Sequence, residues 1–124
     1  MITIDYQNRK PIYEQIVERV QMLILSGVMK PDTQLPSVRS LAVDLSINPN
    51  TIQKAYACLE QEGYIYPVKG KGNFVSADTD LREKQQKAFF DSMEALVRRA
   101  EALGVTRDEF LEKAALFYGE GERL

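Results

Sequence analysis

Two short, apolar-striped segments lie only three residues apart, and this pairing constrains the fold more than any other feature. Val38, Leu41, Ala42 and Leu45 recur at helical spacing. So do Ile52, Ala55, Tyr56 and Leu59, and only Ser46, Ile47 and Asn48 separate Leu45 from Pro49. Helices this short are marginal in water on their own. The two must therefore bury their stripes against each other and against a third element. The start signals agree: Ser37 suits the N-cap of the first, and Asn48 with Pro49 behind it suits the second. Gly63 suits the end of the second helix.

The third element precedes them. Ile12, Ile16, Val20, Leu23 and Ile24 share one helical face; Pro11 suits the first turn, Gly27 the end, and Pro31 bars resumption. Met1 to Tyr6 alternates apolar with polar residues and reads as a short edge strand or an ordered arm. After Gly63, Tyr64–Val68 and Asn73–Ser76 read as strands joined by Lys69-Gly70-Lys71-Gly72, whose glycines permit a hairpin turn. Pro67 confines its strand to a sheet edge. The expected fold is mainly α with a small β-hairpin: a winged helix-turn-helix domain over residues 1–77.

The second helix of such a pair has the width of a DNA major groove, and side chains on its first turn meet base edges. Here those are Asn50, Thr51, Gln53 and Lys54. Asn and Gln suit adenine, and the Thr methyl suits thymine. The helix starts at Ser37 and Asn48 can receive phosphate. Arg39 avoids its helix's apolar stripe and is available to a phosphate or a guanine edge. Lys69, Gly70 and Lys71 form a slim cationic tip that fits along a phosphate strand or in a minor groove. The competing reading makes these polar residues an ordinary solvated face. The net charge of −2 argues against strong non-specific binding, but the balance is uneven. Residues 1–78 carry 8 basic and 8 acidic side chains, and the remainder 8 and 10.

Ala77 to Asp80 reads as a linker. A long helix is expected from about Leu81 to Leu103, stopped by Gly104. Thr106 and Glu109 then fit a capping box opening a helix that runs to about Tyr118, with Gly119–Leu124 fraying. Phe89, Met93, Leu96, Ala100 and Leu103 are spaced four, three, four and three residues apart, a heptad-like seam. Phe110, Ala114 and Phe117 line a face of the last helix. Two helices alone cannot bury that much apolar surface, so residues 78–124 are expected to form a two-helix dimerisation tail. Two-fold pairing would suit a palindromic operator in double-stranded DNA.

With no histidine and a single cysteine, Cys58, the chain offers no disulfide and no tetrahedral zinc site. No paired carboxylates or phosphate loop suggest an enzyme, and no cofactor is expected. No apolar run approaches the roughly 18 residues of a membrane span, and the first residues lack a signal-peptide order. The expected location is cytoplasmic. Two rival functions remain: a protein-docking winged helix, and a ligand sensor whose tail aromatics hold a small molecule. Nothing in the residues identifies an effector.

Leu35-Pro-Ser-Val-Arg39, Leu41-Ala42, Asn48-Pro-Asn-Thr51, Ala55-Tyr56, Leu59-Glu60, Glu62-Gly63 and Gly70-Lys-Gly-Asn-Phe-Val75, with Pro11–Ile16 and Gly27 before them, closely resemble the GntR family of bacterial winged-helix regulators. The resemblance spans roughly residues 9–76. It implies a homodimer on a two-fold operator, with DNA contacts at Ser37, Arg39, Asn48, Asn50, Thr51, Gln53 and Gly70. The chain departs from the family at Pro49, where many members carry a guanine-reading Arg, and at Lys71 and Asn73, where Arg and Thr are common. Only 46 residues follow Asp78, too few for the large effector or aminotransferase-like domains of other branches. This, with the Asn48-Pro-Asn-Thr51 opening, resembles the short-tailed YtrA-like subfamily. Its members often repress operons for ATP-driven transporters, their own gene included.

Overall fold

The computed structural model describes residues 2–77 and 80–119. It forms two compact units, Met1–Arg82 and Glu83–Leu124.

The first unit holds helices α1 (Ile12–Leu25), α2 (Val38–Leu45) and α3 (Pro49–Gln61), then strands β1 (Ile65–Val68) and β2 (Gly72–Val75). Helix α1 packs chiefly on α3, and α2 also packs on α3. Ile16, Val20, Leu41, Ile52, Ala55, Leu59 and Val75 are buried at the centre. Each large apolar side chain there contributes about 1.5–3 kcal/mol by leaving water. Both expected caps form. The Ser37 Oγ accepts from the Ser40 amide at 3.0 Å, and the Asn48 Oδ1 from the Asn50 amide at 2.8 Å. Such caps are worth about 1 kcal/mol each. Gly27 and Gly63 take the left-handed conformation that closes α1 and α3, with φ +84° and +85°. Pro11 sits one residue earlier than expected, as the N-cap of α1 rather than inside its first turn.

β1 and β2 pair antiparallel, Ile65 opposite Val75 and Val68 opposite Gly72. A third segment extends this sheet. The Leu35 amide donates to the Asn73 carbonyl and the Val75 amide to the Thr33 carbonyl, both at 2.9 Å. β2 is therefore central, and β1, with Pro67, lies on an edge where its missing donor costs no ladder bond. Residues 2–5 form no strand. They make an arm whose Ile2 and Ile4 pack on the core. It is held by reciprocal bonds between Gln15 and the Asp5 backbone, 2.9 and 3.0 Å.

Helix α4 (Leu81–Ala102) begins in the first unit. Leu81 is buried in its core and the Arg82 guanidinium donates to the Leu25 carbonyl, satisfying an open end of α1. Of the expected linker, Asp78 and Thr79 lie outside the described residues, as does the expected fraying of residues 120–124.

The second unit is the rest of α4 and α5 (Arg107–Phe117). α4 stops at Ala102, one residue before Leu103, which therefore stands in the turn. Gly104, at φ +78°, reverses the chain there. The Thr106 Oγ1 accepts from the Glu109 amide at 3.2 Å, and Glu109 accepts from the Thr106 amide at 3.2 Å, the expected capping box.

Candidate nucleic-acid interface

The interface is built from two helix starts and a hairpin tip. Arg39 is the second residue of α2, exposed, and makes no hydrogen bond or ion pair among the described residues. Asn50 and Gln53 are exposed on the opening turns of α3, with Thr51 half-buried between them. Ser37 and Asn48 spend their side-chain acceptors on capping; this leaves the Val38 and Arg39 amides of α2 open, whereas at the start of α3 Pro49 has no N–H and the Asn50 and Thr51 amides are bonded to Asn48. Lys69, Gly70 and Lys71 are exposed at the turn between β1 and β2.

The charge pattern of the helix starts is selective. The first turns of α1, α4 and α5 carry carboxylates, as the helix dipole favours: Glu14, Glu83, and Asp108 with Glu109. Those of α2 and α3 carry none. A carboxylate there would compete with phosphate for the same positive end.

One stretch of chain holds all three parts of the interface together. The Tyr56 hydroxyl of α3 donates to the Pro36 carbonyl at 2.7 Å, one residue before the α2 cap. Burial pushes the Tyr56 pKa up to about 12. Two residues earlier, the Gln34 amide donates to the Lys71 carbonyl at the hairpin tip, 2.6 Å. At the hairpin base, the Tyr66 hydroxyl donates to Asp32 at 2.7 Å, which raises its pKa, and stacks on Phe74 with ring centroids 5.9 Å apart. The segment 32–37 thus carries the start of α2 and touches both α3 and the wing.

Lys54 departs from its expected setting. Its ammonium lies 4.0 Å from the centroid of the Tyr13 ring on α1, a cation–π contact worth about 0.5–1 kcal/mol at an exposed site. Its charge is already partnered within the protein, unlike that of Arg39. Tyr13 and Gln34 are the two residues that sequence reading passes over. Tyr13 shares the helical spacing of Ile16 and Val20 and reads as core, where it packs, and Gln34 lies in an irregular stretch, so neither announces its polar contact.

A family model described as "Bacterial regulatory proteins, gntR family" matches residues 12–75, more than half of the chain. The chain belongs to that family. Among its relatives is the HTH-type transcriptional repressor YtrA of Bacillus subtilis (strain 168), 41% identical over 114 residues, covering 90% of this chain and 88% of that protein. Among solved structures, a protein of Listeria monocytogenes EGD-e described as a transcriptional antiterminator superposes with a TM-score of 0.74 at 32% identity. That match covers 95% of this chain and 90% of the other. AraR(DBD), solved in complex with operator ORR3, matches with a TM-score of 0.53 at 30% identity over 60% of this chain and 89% of that one. These relatives are regulators rather than enzymes, and so is this protein. Its fold is the mainly α winged helix with a small hairpin that the sequence led us to expect. No helix among the described residues is long and apolar enough to cross a membrane.

Proposed function

We propose that this regulator is a homodimeric repressor that binds a palindromic operator in double-stranded DNA. The observation that carries the reading is the selective absence of carboxylates from the first turns of α2 and α3, beside an unpartnered Arg39. In this reading α3 enters the major groove, where Asn50, Thr51 and Gln53 meet base edges. The starts of α2 and α3, with Ser37, Asn48 and Arg39, receive backbone phosphates. Lys69, Gly70 and Lys71 follow a neighbouring strand or minor groove. Lys54 reaches DNA only by leaving Tyr13, so we assign it a secondary contact. That AraR(DBD), a relative by structure, was solved in complex with an operator supports DNA binding by this unit.

We assign residues 1–77 to DNA binding and 78–124 to pairing. Phe89 is 65% exposed, Leu96 52% and Phe117 86% in the single chain, and Met93 and Leu103 are exposed beside them. An apolar face of this extent is costly in water, and a second copy would cover it. Ala100 and Phe110 are half-buried already; they line, with Met93 and Val97, an apolar cleft of about 400 Å³ between α4 and α5. In the dimer the partner's apolar side chains would fill it. By resemblance to the short-tailed relatives, the controlled operon would encode an ATP-driven transporter.

Selection of bound duplexes from a random DNA pool tests the reading. We expect an enriched palindrome whose half-sites lie about one helical turn apart. Folded protein that enriches nothing at low salt would favour a protein-docking module. Enrichment that needs a small molecule would make the cleft an effector site.

A further inference from the structure

The wing tip carries two glycines in left-handed conformations, Gly70 at φ +78° and Gly72 at φ +115°. Such a turn is conformationally soft. Its base is not. Three backbone bonds tie β2 to the segment before α2: Leu35 to Asn73 and Val75 to Thr33 at 2.9 Å, and Asp32 to Val75 at 2.8 Å. All of them lie below the tip. At the turn itself the Lys71 amide donates to the Val68 carbonyl at 2.9 Å, beside the Val68–Gly72 pair that ends the ladder.

A further restraint is a side chain. The Gln34 amide reaches past the paired strands and donates to the Lys71 carbonyl at 2.6 Å. Residue 72 leaves room for it: a Cβ there would stand 3.1 Å from the Gln34 Nε2. Gln34 is exposed and outside the buried core, so nothing in the packing requires a glutamine there.

We propose that Gln34 is a positioning residue for DNA binding, which holds the wing tip so that Lys71 projects at a fixed place relative to α2. Gln34 begins the short run that reaches the Ser37 cap, so its bond references the tip to the helix start bearing Arg39. Loss of the amide donor leaves the sheet base intact and lets the tip swing. The ammonium of Lys71 then spends less time where phosphate lies. The inference rests on the proposed contact between wing and DNA.

The test is a double-mutant cycle with Gln34→Met, which keeps the length and removes the donor, and Lys71→Ala. Binding of the selection-enriched duplex is measured across a salt series, with thermal denaturation alongside. Gln34→Met should weaken binding about three- to tenfold, the range of one net hydrogen bond, without lowering the melting temperature appreciably. Its log–log salt slope should fall by about one, as it does for Lys71→Ala. In the Lys71→Ala background the same change should cost less than about twofold, because coupled residues are not additive. Full additivity overturns the positioning role, as does a neutral Gln34→Met beside a weakened Lys71→Ala. A neutral Lys71→Ala removes the wing contact itself, and the proposal falls with that reading rather than on its own account.

Discussion

Arg39 stands in the first turn of α2, where a positive charge opposes the helix dipole. It has no partner among the described residues to offset that penalty. A residue that works slightly against its own helix suits an external anion. Arg39→Ala should therefore weaken operator binding by roughly 1–3 kcal/mol while leaving the free protein as stable or slightly more so. Titration of the enriched duplex and thermal melts check the two halves separately; unchanged affinity sinks the assignment. Tyr56 is the opposite case, a polar group that serves the interior. Tyr56→Phe leaves the Pro36 carbonyl without its donor and should cost about 1 kcal/mol in denaturant unfolding. The pH dependence follows from its pKa, raised from 10.0 to about 12 by burial. The unfolded chain loses the proton first. The contribution of the buried neutral phenol is thus complete below about pH 10 and lost as pH climbs towards 12. Tyr56→Phe should flatten that alkaline fall.

At the scale of elements, the local signals are strong. Each of the three helices α2, α3 and α5 begins at a residue whose side chain accepts from the turn it opens. In α5 the box also sets a pH dependence. The Thr106 backbone amide, and then its hydroxyl, hold the Glu109 carboxyl below its usual pKa. The folded state prefers the ionised form. The support given to α5 is present above the ordinary carboxylate range and fades as pH falls through the lowered value. Thr106→Ala should fray about the first turn of α5 and reduce that acid-side loss of helicity by the part that rests on the hydroxyl, since the backbone amide stays. Circular dichroism from neutral to acid pH checks both; the same acid transition in the variant would place its cause elsewhere. The caps, the glycines and the Pro67 edge were all legible in the sequence because each acts within a few residues. The third strand segment was not. Thr33–Leu35 has no alternating pattern, and its pairing with β2 spans about 40 residues of chain.

At the scale of the whole molecule, the tail leaves a wide apolar surface that one chain does not cover. Phe89→Asp or Leu96→Asp should yield monomers in sedimentation, since a charge placed in a buried seam without a partner is strongly unfavourable. Operator affinity should fall with dimerisation, because each half-site would then be bound alone. A Leu96→Asp variant that stays dimeric would move the interface to another face.

The sequence by itself determined the helices, their caps and stops, the hairpin, and the family, all of which depend on residue types at short fixed spacings. Only the tertiary structure decided the partners of residues distant in the chain. It placed Lys54 over Tyr13, Gln34 beneath the Lys71 carbonyl, Tyr56 on Pro36, and Arg82 on the end of α1. The physical reason is the same in each case. These contacts join side chains to rings or carbonyls across long separations, and a single polar residue carries no periodicity that announces which distant atom it will meet.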